Sequence, residues 1–463
     1  MSFPLPGGAR LRARFAAILA DGPVRSIGLL VGGTSAAHAI TALMMPVNTR
    51  LYTPDNFAVA ASFTSILAIL SVVACLRFDM AIPLAEREEE AADLLGLSCL
   101  SAIGVTAIVT IALLLIPSAF LERLGHPGLA SYLWLMPFAV LIAGLYLALQ
   151  MWFVRKRQFG IIARTRVMQS ALAASGQLGF GLAGRAPLGL IVGQVINYGA
   201  ASFLLGLRIL RHGFGLLRGI SFAGMRVAFR NANRFLRYSV WEALANAASI
   251  NVPILLIASW AAGPEAGYLT LAIFLLQAPM AVLGNAVAQV YVSDAPTAER
   301  EGRLAEFTRA NLIGLTRAAM PPLIFLAIVA PAIFGFVFGA SWVRAGELVT
   351  WMVPWFLMQF LTSPISTALH VLGRQRAAMV LQFGGLALRS GAVCAAAWAA
   401  PGWIAESYAV SGFVFYTLYL IVVMRVVGLG VGDFAVALRR SALLSALAAG
   451  VAVIVALAMH MLV

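Results

Sequence analysis

The residues able to do chemistry in this chain are charges and amides placed in or beside long apolar runs. Residues 76–84 read LRFDMAIPL, with Arg77 and Asp79 two apart at the end of such a run. Neighbours two apart on a helix do not face each other, and the positions four away (Val73, Ala81, Cys75 and Pro83) carry no charge. Three roles fit the pair: an ion pair to another helix that locks two lobes together, direct contact with a substrate, or a solvated helix end. Arg389, in GGLALRSGAV, follows Arg376 by 13 residues, a depth of roughly 20 Å at the helical rise. The preferred reading puts it on a wet cavity; an outward reach or a structural ion pair are the alternatives. Arg317 follows Arg309 by 8 residues, about 12 Å deep, where a stem can reach back to the surface. Glu242 and Asn246 lie near the start of another apolar run, with Asn251 further along it, and His38 lies in the middle of the first. The bland readings are a helix-to-helix hydrogen bond for Asn246 and a buried neutral imidazole for His38. Asp79, Glu242, Asn246 and His38 stand as structural or coupling candidates, although no acid lies deep in any run. Cys75, Cys99 and Cys394 read as packing residues, and the five histidines have no ligand spacing. No metal site, cofactor or nucleotide-binding lysine motif is expected.

The elements that position these residues follow from composition. The chain has 463 residues, of which 62% are hydrophobic and 11% charged. A water-soluble fold cannot hide so much apolar surface, so the solvent is lipid. A bilayer core of about 30 Å takes about 20 apolar residues per helix. Such runs lie near 27–48, 57–76, 92–117, 130–153, 166–184, 187–208, 238–260, 267–291, 310–337, 348–370, 377–399, 404–424 and 441–463. Strand-like alternation is absent, which excludes a β-barrel. The expected class is an all-α polytopic membrane protein with about 12–14 transmembrane helices.

The net charge of +14 could suggest nucleic acid, but the placement of the charge argues against that partner. Of 32 basic residues, Lys156 is the sole lysine. They cluster in alternate loops: ARLRAR before the first run, RKRQFGIIARTR after the fourth, Arg208 to Arg237 between the sixth and seventh, and Arg374, Arg376, Arg439 and Arg440 further on. The opposite loops hold Arg50, Arg123, Arg185 and Arg344. The positive-inside rule places the N-terminus and the basic loops in the cytoplasm, and the acidic Glu86–Glu90 stretch does not count against it. The first apolar run starts too late, and lacks the small-residue site, for a cleaved signal.

The two halves of the chain resemble each other. Pro137 matches Pro354, and Arg157-Gln158 matches Arg374-Gln375, both at an offset of 217. Six spans per half make the repeats parallel, and a ligand path belongs between them. The expected organisation is a basic N-terminal segment 1–26, a six-helix lobe 27–208, a basic amphipathic linker 209–236, a second lobe 237–425, and a loop with an extra helix at 426–463. Arginines at 226, 230, 234 and 237 fit an interfacial helix on an anionic leaflet, or an ordinary solvated linker. The loops opposite the basic ones are short, with scattered charges at Glu122, Arg123, His126, Arg344 and Glu347.

RLYTPDNFA (50–58) followed by LRFDMAIPLAEREEEAADLL (76–95) resembles the Wzx-type oligosaccharide flippases, the polysaccharide-transporter branch of the superfamily that also holds multidrug exporters. RKRQFGIIARTRV, VPILLIASWAAGPEAGYLTLA, LQAPMAVLGNAVAQVYV and WFLMQFLTSPISTALHVLGRQRAA extend the likeness over residues 27 to about 425. Ala58 stands where the first motif commonly has glycine, and a thirteenth span departs from a twelve-helix core. The resemblance implies export of undecaprenyl-diphosphate-linked sugar repeat units for O-antigen, capsule or exopolysaccharide, by alternating access in the bacterial inner membrane. It implies no enzyme activity, a lipid-linked oligosaccharide as cargo, membrane lipids as surroundings, and polysaccharide polymerase and glycosyltransferases as partners. Arg389, then Arg77, then Arg317 would be the cationic contacts to diphosphate or acidic sugar. A multidrug exporter and a membrane polymerase or ligase are the competing readings.

Overall fold

The computed structural model describes residues 22–117, 126–212, 219–233, 235–261, 263–279 and 284–462. Most of the basic N-terminal segment, Glu122, Arg123, Arg218 and Arg234 lie outside the described residues. Among the described residues there is no strand. Ten stretches of helix are long and apolar enough to cross a bilayer. The protein is an all-α polytopic membrane protein.

In the first half, α1 is Gly22–Leu51, α2 Pro54–Ala74, α3 Glu88–Leu115, α4 Met136–Arg155, α5 Phe159–Leu182 and α6 Leu188–His212. A short α7, Phe222–Asn231, lies in the linker. The second half holds α8 Val240–Trp260, α9 Glu265–Pro279, α10 Asn285–Arg300, α11 Leu304–Phe338, α12 Val343–Ile365, α13 Gln375–Ala399, α14 Ile404–Val427 and α15 Val431–Leu462. Local chemistry sets many of these ends. Thr53 caps α2, its hydroxyl accepting from Asn56 N, with Pro54 in the first turn. Glu88, Glu89 and Glu90 open α3, where the helix dipole favours negative charge, so much of the acidic stretch is helix rather than loop.

Four features differ from those read in the sequence. The 267–291 run ends later than read: α10 continues to Arg300. The last helix begins at Val431, so Arg439 and Arg440 lie within it and the loop shrinks to a turn closed by Gly428 at φ 86°. Apolar content alone had hidden that start, because Asp433 and the two arginines interrupt the run. The Arg77–Asp79 pair, read with helical spacing, is not on an α-helix: α2 ends at Ala74 and Phe78–Leu84 is a 3-10 turn. The fourth difference concerns the repeat. Gln158 N donates to Phe153 O (3.0 Å) and Arg374 N to Leu369 O (2.7 Å). Arg157 and Gly373 hold the left-handed position before them, with φ 53° and 67°. By backbone geometry Arg157 therefore pairs with Gly373, one residue away from the sequence match. A helix C-terminus needs a left-handed residue at that point, and glycine adopts it without strain.

Helices before α7 pack mainly on one another: α1 on α5, α5 on α6, α3 and α6 on α4. Those after it do the same, with α11 between α12 and α15, and α14 between α12 and α13. Contacts cross between the halves where α2 meets α8 and α9, where α1 meets α11, and, beside the linker, where Phe78–Leu84 meets Phe235–Ser239.

Candidate functional site

Arg389 is the most deeply placed charge of the second half. It sits among α8, α13 and α14 and is 2% exposed. Its Nε donates to Gly385 O at 3.3 Å, and a guanidinium nitrogen donates to Ser249 Oγ. The guanidinium carbon lies 4.9 Å from the centre of the Phe415 ring, a cation–π contact. Tyr408, whose hydroxyl donates to Ile250 O, closes the same space. Gly385 permits this packing: a Cβ there would stand 2.6 Å from the Phe415 ring. In this conformation the Phe415 ring and the Ser249 hydroxyl contact the guanidinium directly. Among the described residues no carboxylate lies within ion-pair distance of it. A cation held only by dipoles and a ring face in a low-dielectric core is a ready partner for an anion.

Arg77 and Asp79 form a different kind of feature. Leu76 and Arg77 both have positive φ, 49° and 63°, a conformation that costs non-glycine residues about 1–3 kcal/mol each. This backbone reversal, not a helix, sets the spacing of the pair. Asp79 is 3% exposed. It lies outside the spans, and burial raises its carboxyl above the usual range while Arg77 opposes the rise. Arg77 Nε is buried without a partner. The reversal is clamped from α4: Arg155 donates to the carbonyls of Ile82 (3.3 Å), Ala85 and Arg87 (3.2 Å), and Lys156 pairs with Glu88. From the other side, α7 packs Phe229 against Phe78, with ring centres 5.6 Å apart.

The remaining candidates are scattered. Arg317 is exposed on α11, and its Nε donates to Arg440 O at 3.2 Å, tying α15 to α11 beside the Ser441–Thr316 contact. Glu242 and Asn246 are exposed one turn apart on α8, and Asn251 bonds its own helix at Ala247 O. His38 is exposed on α1 among the described residues, so the buried imidazole expected there is not found. The structure does not bring Arg389, Arg77 and Arg317 to one place.

Sequence reading missed the seam between the halves. Trp342 is fully buried, its Nε1 donating to Thr49 O at 3.1 Å. Phe57 meets it edge-on at 4.8 Å and Tyr268 at 6.0 Å. Arg50 donates to Phe336 O at 3.2 Å. Gly267 lies so close to α2 that a Cβ would stand 2.0 Å from Pro54 O. These contacts gather at the end of the molecule opposite the basic loops. The available signals were Gly267 and the aromatic residues around the 50–58 and 339–344 turns, which composition alone cannot pair. Beside the seam, Arg344 binds Glu265 (3.1 Å), Glu347 (3.2 Å) and Glu406 (2.5 Å).

This architecture, two helical halves joined through α2, α8 and α9, is similar to that of several solved structures. The lipid II flippase MurJ in an inward closed conformation is 14% identical, with a TM-score of 0.69 over 93% of this chain and 98% of that one. An inward-facing multidrug resistance MATE family transporter of the MOP superfamily gives 0.60 at 12% identity, over 86% and 94%. A MOP superfamily transporter from Pyrococcus furiosus gives 0.58 at 13% identity, over 89% and 97%. No curated protein matches the chain. The chain shares the fold of these proteins. Residues 47–347 match the family model described as polysaccharide biosynthesis protein, and the chain belongs to that family.

Proposed function

We propose that this chain is a flippase for undecaprenyl-diphosphate-linked oligosaccharide repeat units, moving them from the cytoplasmic to the periplasmic leaflet for surface polysaccharide assembly. The observation that carries the reading is the seam at Trp342, which closes the halves at the end opposite the basic loops. With those loops cytoplasmic by the positive-inside rule, the chain is an inner-membrane protein closed toward the periplasm. The lobes 27–208 and 237–425 rock about the 209–236 linker, and opening of the seam releases cargo outward. Membership of the polysaccharide biosynthesis family supports the sugar cargo, and the fold supports transport rather than catalysis.

In this scheme Arg389 meets the diphosphate or an acidic sugar once α8 shifts and uncovers it. Ser249, its hydroxyl partner, lies on α8 one turn from the exposed Asn246. Arg77 serves the cytoplasmic mouth, and Arg317 holds the extra helix. Glycosyltransferases and a polymerase supply and consume the cargo on either side.

The test is a lipid extract from a deletion strain, analysed by mass spectrometry. Accumulation of one complete polyprenyl-diphosphate-linked repeat unit, with loss of its surface polymer, is the expected result. Unchanged lipid-linked sugars and intact polymer, in a strain without a second flippase, would overturn the reading in favour of a multidrug exporter.

A further inference from the structure

A cavity of about 490 Å³ lies on the flank of the second half, between α12, α13 and α14. Trp351 and Trp403 stand at its mouth, 44% and 57% exposed, with rings edge-to-face at 6.0 Å. Leu388, Val410 and Val414 form its apolar wall. Glu406 also lines it, although the residue is only 4% exposed. One Glu406 oxygen, Oε1, accepts from Arg344; the other, Oε2, is buried and meets no donor. Arg344 is already shared with Glu265 and Glu347, so one guanidinium faces three carboxylates. The cluster is short of positive charge, and it presents an unused acceptor beside two indole rings. Carboxylate plus indole faces is the chemistry that holds an ammonium group.

The shape says what carries that ammonium. Below Glu406, at helical spacing of four, Val410, Val414 and Leu418 lie on one face of α14, exposed by 46%, 39% and 52%. That row runs about 18 Å down the span from the carboxylate, the geometry of a charged head on a hydrocarbon tail. We propose that this cavity binds an ethanolamine phospholipid, the ammonium on Glu406 Oε2 and the indole rings, one acyl chain along the α14 face. None of its lining residues belongs to the Trp342 seam, and the proposal is independent of what cargo the protein moves.

Native mass spectrometry of the purified full-length protein with equal phosphatidylethanolamine and phosphatidylglycerol tests it. The wild type should retain the ethanolamine lipid over the glycerol lipid by at least about tenfold, the size of a charge-assisted hydrogen bond. Glu406→Gln should remove that preference. Trp403→Leu, which leaves Arg344 and its carboxylates untouched, should weaken it while helicity and melting temperature stay near wild type. Equal retention of both lipids by the wild type, or an unaltered preference in both variants, would overturn the proposal. So would displacement of the lipid by an equal concentration of phosphoethanolamine without tails, which would mark a site for a soluble amine.

Discussion

At the scale of single residues, depth was legible and burial was not. A fixed rise per residue put Arg389 well inside a span. Whether it met water depended on Phe415, Ser249 and Tyr408, which come from other helices. Arg389→Ala and Arg389→Lys separate its roles. With protein levels held normal, the alanine variant should abolish export and accumulate the lipid-linked repeat unit. The lysine variant should recover export only in part, since an ammonium lacks the planar fork that matches a phosphate. Wild-type export in the alanine variant would remove Arg389 from the mechanism. Asp79 gives a second prediction. Its folded carboxyl holds a proton more tightly than an unfolded one, so the native state is favoured at low pH and loses that advantage as pH rises from about 4 upward. Asp79→Asn mimics the protonated form. Its melting temperature relative to wild type should therefore rise as pH increases from about 4; a difference that stays constant from pH 4 upward would refute the assignment.

At the scale of elements, period and charge found α7 but not what holds it. Arg226 and Arg230 are exposed, as expected for a helix on an anionic surface, together with Phe222 (77%) and Val227 (55%). The opposite face is docked: Ser221 N donates to Asp93 Oδ1 at 2.9 Å, and Ala228 is buried. Gly224 makes the approach possible, since a Cβ there would stand 1.9 Å from Asp93 Oδ2. Gly224→Val should lift α7 from α3, and brief trypsin treatment should then cut at Arg226 and Arg230 several-fold faster than in wild type. Equal cleavage rates would mean that the helix is held elsewhere. The reversal at Leu76 and Arg77 was illegible for a related reason. Neither residue favours positive φ, so the turn exists because Arg155 and α7 enforce it from outside the segment.

At the scale of the whole molecule, the proposed transport cycle rests on whether the seam opens. Gly267→Val cannot keep the present contact with Pro54 O, and Trp342→Ala empties a fully buried site, a loss of about 3–5 kcal/mol in a packed core. Both should favour the outward-open form. With Cys75, Cys99 and Cys394 replaced by alanine and a cysteine placed at Phe57, 4% exposed in the closed seam, a membrane-impermeant maleimide added outside should label either variant much faster than the parent. Unchanged labelling would show that the seam is not the outer gate.

The sequence by itself determined the solvent, the helical class and most of the spans. These follow from apolar content and from the length a bilayer demands, which are properties of short windows. It also placed the charges along the chain, through the loop bias and the rise per residue. Only the tertiary structure decided which charges meet. It enclosed Arg389 in rings and hydroxyls, turned Arg77 and Asp79 about a strained reversal, and gathered Glu265, Glu347 and Glu406 on Arg344. It also set Trp342 against Thr49, 293 residues away. Such pairings arise from packing between helices distant in sequence, where side-chain shape and the closeness that glycine allows select the partner.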